Sequence, residues 1–134
     1  MDDRDLAKYY AGGRVAIGVL LILLPSRVLS GMVGRDAART PAVRLLGRLL
    51  GLRDAIIGLG GLRSLSSSVP DAALNSTMND EVRPWMSYGA VADGGDALLM
   101  LLAYRHLPKR KRFGVLMLAA SGAATGGYLV TKFD

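Results

Sequence analysis

Six ionisable side chains stand inside otherwise apolar stretches of this chain: Arg14, Arg48, Arg53, Asp54, Asp93 and Asp96. Carboxylates facing guanidiniums can neutralise one another, relay a proton or hold a polar headgroup. They supply neither a ready nucleophile nor a metal-ligand set. The chain has no cysteine and one histidine, His106, so thiolate catalysis, disulfides and multi-histidine metal or haem sites are excluded. No metal, no cofactor and no catalytic residue is expected. The expectation is a charge network without its own reaction.

The elements that must hold these residues are long apolar segments. Of the 134 residues, 51% are hydrophobic, yet 17 are Lys or Arg and the net charge is +6. A mean hydropathy of +0.30 with a pI near 10.1 fits a basic membrane protein better than a nucleic-acid binder. The latter displays its basic residues on a polar face, whereas here they cluster between the apolar runs. No nucleic-acid partner is expected. Four segments approach the roughly 20 residues needed to cross ~30 Å of hydrocarbon. They run from about Tyr9 to Ser30, Val43 to Leu62, Trp85 to Tyr104 and Phe113 to Val130. Pro25 should kink or end the first. The expected fold class is therefore all-α, a polytopic integral membrane protein built as one four-transmembrane-helix bundle over residues 1–134. A rival reading makes segment one a cleaved signal peptide with Arg4 and Lys8 as its basic start. Asp2, Asp3, Arg14 and Pro25 fit that poorly.

Basic loops stay in the cytoplasm. Arg27, Arg35 and Arg39 lie between spans one and two, and Arg105, Lys109, Arg110, Lys111 and Arg112 between spans three and four. Both termini and the middle link from Arg63 to Pro84 are therefore expected outside the plasma membrane. The Ser-, Asn- and Asp-rich part of that link, Ser64 to Glu81, is expected to be a loop. Lys109 to Arg112 fix topology and offer a surface to anionic lipids. Asn75-Ser76-Thr77 has the form of a glycosylation acceptor, by chance.

Arg53, Asp54, Asp93 and Asp96 fall near the middle of their spans, where an unpaired charge costs roughly 2.5–3.5 kcal/mol on insertion scales. Pairing is nearly forced. The expected pairs are Arg53 with Asp93 or Asp96, Arg48 with Asp96, and Arg14, placed one turn inside the outer boundary, with Asp93. Asp54 is expected to take hydrogen bonds from backbone or hydroxyl groups, or to be protonated. Gly94-Gly95 between the aspartates could break the helix, as a transport site would. Small residues recur at helical spacing: Gly47, Gly51 and Gly58 on span two, Gly122 and Gly126 on span four, and Gly89 and Ala92 beside Asp93 and Asp96. Such stripes let helices approach closely in lipid. Those of spans two and four serve packing or partner docking, and that of span three should bring it against span two.

The run Leu46-Gly47-Arg48-Leu49-Leu50-Gly51-Leu52-Arg53-Asp54-Ala55-Ile56-Ile57-Gly58, with Arg14 to Gly18 and Asp93 to Asp96, resembles small four-helix membrane proteins of an uncharacterised bacterial, DoxX-like family. The Ala, Gly, Arg and Leu bias suggests a GC-rich, actinobacterial source. The resemblance implies a fold and no catalytic residues; the quinone or thiosulfate chemistry linked to some DoxX-like proteins finds little here to carry it. The chain also resembles, in size and outline, accessory subunits of mycobacterial-type Mce lipid importers. That likeness implies other integral membrane subunits and membrane lipids as partners. The leading functional expectation is a non-catalytic accessory subunit. A small transporter or ion-conducting oligomer, and a lipid- or quinone-linked enzyme with an aspartate base, are the alternatives.

Overall fold

The computed structural model of the chain describes residues 3–66, 75–106 and 112–133. These are almost wholly helical, with no strand among them. The helices are α1 (Asp3–Leu23), α2 (Pro25–Val33), α3 (Arg35–Ala38), α4 (Pro41–Ser66), α5 (Asn75–Leu102) and α6 (Arg112–Lys132). A 3-10 turn covers Tyr104–His106. The all-α expectation holds.

Segment boundaries differ from the expected spans, each for a local reason. The stretch 9–30 is two helices. Proline carries no N–H and suits the first turn of a helix, so Pro25 ends α1 and opens α2 after Leu24, at φ −129°. α5 starts ten residues before Trp85 and includes Asn75-Ser76-Thr77, with Pro84 in its interior. The expected loop from Ser64 to Glu81 is thus helical at both ends. Gly94-Gly95 does not break α5, which is continuous through them.

Consecutive long helices run antiparallel. The closest pairing is α1 on α4, made possible by glycine. A Cβ on Gly18 would lie 2.6 Å from the Gly51 carbonyl oxygen and 2.7 Å from the Ala55 nitrogen. Both are backbone atoms that cannot step aside, so only glycine permits this approach. Apolar clusters close the two ends of the bundle. Ala7, Ala11, Leu65, Val82, Met86 and Leu129 pack at the end holding the chain termini. Leu21, Leu29 and Ala38 pack at the other, where α2 and α3 turn the corner into α4. The charged residues lie between these clusters.

Among the described residues one helix, α1, is long and apolar enough to cross a membrane by length and composition. Arg44, Arg48, Arg53 and Asp54 lower the hydropathy of α4, and Asp93 and Asp96 that of α5.

Candidate functional site

Arg14 is the twelfth residue of α1, mid-helix and not one turn inside an end, because α1 begins at Asp3. It is 6% exposed. Its Nη1 donates to Asp54 Oδ1 at 2.9 Å, and its Nη2 lies 2.5 Å from Asp93 Oδ1. Nη2 also donates to the Gly89 carbonyl at 2.7 Å and to the Tyr10 oxygen at 3.1 Å. Tyr10 in turn donates to Asp93 Oδ2 at 2.8 Å. One guanidinium thus joins α1, α4 and α5. Its Nε is buried without an acceptor.

Arg53 continues the chain of charges outward. It reaches Asp96 with two nitrogens, Nη2 to Oδ2 at 2.7 Å and Nη1 to Oδ1 at 3.1 Å. This is the two-pronged geometry that makes arginine–carboxylate pairs strong. Arg53 also donates to Asp54 Oδ1 from Nη2 at 3.1 Å and from Nε at 3.3 Å. Asp54 Oδ1 is therefore shared by both arginines. The order is Asp96, Arg53, Asp54, Arg14, Asp93, Tyr10. Exposure rises toward Asp96: the side chains of Arg53 and Asp96 are 31% and 28% exposed.

Five of the six charged residues meet in this network. Arg48 does not; it is exposed and makes no ion pair among the described residues. It precedes Arg53 by five residues, about 140° around a helix of 3.6 residues per turn, which turns it from Asp96. Without it the interior holds two guanidiniums and three carboxylates, not a balanced set. Asp54, expected to rely on backbone or hydroxyl donors, takes both arginines.

Tyr10 and the Gly89 carbonyl were not foreseen. Tyr10 lies four residues before Arg14, on the same helix face, and that spacing was the available signal. Gly89 packs against Tyr10 and Arg14 of α1, while α5 as a whole lies against α4, as expected of span three on span two. Gly47, Gly51 and Gly58 all face the α1–α2 arm: a Cβ on Gly47 would strike Leu29, on Gly51 the Gly18 carbonyl, and on Gly58 the Ala11 carbonyl. Gly122 and Gly126 cover the network itself. A Cβ on Gly122 would stand 2.7 Å from Asp93 Oδ2, and one on Gly126 2.6 Å from the Tyr10 oxygen. Lys109, Arg110 and Lys111 lie outside the described residues, and Arg112 opens α6.

The arrangement can lock three helices in one register, because any sliding breaks several charge-assisted bonds together. α6 packs against Asp93 through Gly122. The chain matches no protein-family model, no curated protein and no solved structure.

Proposed function

We propose that this protein is a non-catalytic accessory subunit of a larger membrane assembly, a polytopic four-helix bundle of the plasma membrane. The observation that carries this is an inverted distribution of side chains. Large apolar residues such as Ile17, Leu20, Leu49, Ile56, Leu99 and Phe113 are exposed. The inner helix contacts are made by Gly18, Gly51, Ala55 and Gly58 and by paired charges. Water favours the reverse, while small residues inside and polar groups paired across helices suit a lipid surround. α6 carries no charged residue between Arg112 and Lys132. Of the charges that interrupt α4 and α5, Arg53, Asp54, Asp93 and Asp96 are paired in the network, whereas Arg44 and Arg48 are exposed. The arginine-rich links support a topology with both termini and the link between α4 and α5 outside.

The subunit role is supported by the open end of the network. Arg53, midway along α4, and Asp96, six residues before the end of α5, are nearly a third exposed, a costly state for ions facing hydrocarbon. Beside them Gly94 and Gly95 leave clear space over α5. A neighbouring helix of another subunit would cover both. The likeness to accessory subunits of Mce-type importers supports a lipid importer as that assembly. Extraction of native membranes in mild detergent should recover the chain with other integral subunits, and Asp96→Leu should release them. Recovery of a lone chain, or elution of the protein from membranes in alkaline carbonate, would overturn this proposal.

A second function, a small ion-conducting oligomer, is favoured by the excess of one carboxylate over the guanidiniums. Under it, Asp96→Asn abolishes flux in proteoliposomes while the bundle stays folded. Unchanged flux would eliminate it.

A further inference from the structure

The corner between α1 and α4 holds arginines of a different kind. Val28, Leu29, Met32 and Val33 of α2 pack with Leu21, Ala38 and Val43, and the opposite side of α2 bears Ser26, Arg27 and Ser30. Gly34 then turns the chain with φ at +93°, a backbone state that favours glycine. The turn brings Arg35 and Arg39 of the α3 segment to the same side. These five residues line an open surface cleft of about 370 Å³, and the three arginines are exposed. None of the three arginines is in an ion pair among the described residues. Asp36 is the sole acidic residue between Asp5 and Asp54, and it too is unpaired and exposed.

We propose that this cleft binds a phosphate ester, supplied by the headgroup of an anionic lipid. Three arginines at one cleft supply the charge and the planar, two-pronged donors that phosphate oxygens accept best. The Ser26 hydroxyl adds a neutral donor, and Ser30 Oγ is held by donation to the Arg27 carbonyl at 2.8 Å. Leu23 and Leu24, 66% and 40% exposed, directly precede Pro25 and Ser26 in the chain and offer apolar surface to acyl chains. A short helix with one apolar and one polar face, such as α2, is the form that lies at a lipid boundary. The lipid source rests on the membrane placement proposed above; the phosphate site does not.

The test uses the full chain in neutral detergent, titrated calorimetrically with dioctanoyl phosphatidylglycerol, dioctanoyl phosphatidylcholine or inorganic phosphate. One phosphatidylglycerol should bind per chain, with phosphatidylcholine weaker by roughly tenfold or more. The triple variant Arg27→Gln, Arg35→Gln, Arg39→Gln should lose a similar factor. Lys8→Gln, Arg63→Gln, Lys132→Gln, an equal charge change at the far end of the bundle, should stay within about twofold. Arg35→Lys with Arg39→Lys keeps the charge and loses the fork, so it should still weaken binding several-fold; it also serves if the glutamine variant does not fold. Equal loss in the two glutamine sets, or full affinity in the lysine variant, overturns the site. Inorganic phosphate binding as tightly as phosphatidylglycerol upholds the phosphate chemistry and overturns the lipid source.

Discussion

Arg14 divides its guanidinium among two carboxylates, a phenol and a backbone carbonyl, whereas Arg27, Arg35 and Arg39 surround a hollow with no carboxylate of their own. The residue type is the same and the roles diverge because of what the fold packs nearby. Around Arg14 three helices converge with glycine at the contacts, so protein atoms enclose the guanidinium and both terminal nitrogens find acceptors, while Nε is buried without one. Around the α2–α3 corner the chain turns sharply over a small apolar cluster and leaves the basic side chains unopposed. A saturated arginine is part of the frame. An unsaturated set is available to something else.

The contrast can be broken most severely at Arg14. Arg14→Leu strands Asp54 and Asp93 without their shared partner, a change that costs about 3–5 kcal/mol when one member of a buried pair is removed. The folded bundle should be lost from mild detergent, seen as aggregation in size-exclusion chromatography and reduced helical circular dichroism. Arg14→Lys should recover little, because an ammonium cannot span the four acceptors. Retention of wild-type stability by Arg14→Leu would mean that the network does not hold the bundle. The glycine contacts come next. Gly51→Val forces a side chain toward the Gly18 carbonyl oxygen, 2.6 Å from the new Cβ, and should cost about 1–3 kcal/mol. Thermal unfolding should separate it from Gly94→Ala, where nothing stands within 4 Å. At the exposed end of the network the expected effect shrinks. Asp96→Asn should lower stability by about 1 kcal/mol at most, while partner recovery falls by a larger factor. The smallest effect belongs to the corner: glutamine at Arg27, Arg35 and Arg39 should leave the unfolding midpoint within about 0.5 kcal/mol of wild type. A large loss there would erase the distinction between frame and site.

The need for partners was legible in the sequence, since charge inside an apolar run demands a counter-charge. The identity of those partners was legible only in part. Arg53 with Asp96 and Arg14 with Asp93 were among the expected pairs. Arg48 was misjudged because depth along a helix says nothing about angle around it, and the angle is decisive. A first helix starting at Tyr9 puts Arg14 one turn inside its end, whereas Asp3 and Asp5 already sit in the first turn of α1 and Arg14 lies at its middle. Acidic residues stabilise a helix N-terminus, so that signal was present. Pro84 hid the true start of α5, since proline suits a helix opening as well as an interior kink. The four-residue spacing of Gly122 and Gly126 marks a close approach without naming the neighbour. That the neighbours are Asp93 and Tyr10 follows only from three-dimensional packing.

The span of chain separating Arg14 from its acceptors sets a rule for assembly. Asp54 follows it by 40 residues, and Asp93 emerges from the ribosome later still. Within a bilayer the first helix would therefore be delivered with a lone cation and no counter-ion. It must wait at the insertion machinery, or ride high toward the headgroups, until α4 and α5 arrive to neutralise it. A chain cut short after α3 should accordingly slip back out of the membrane, even though its leading helix is long and apolar enough to cross one.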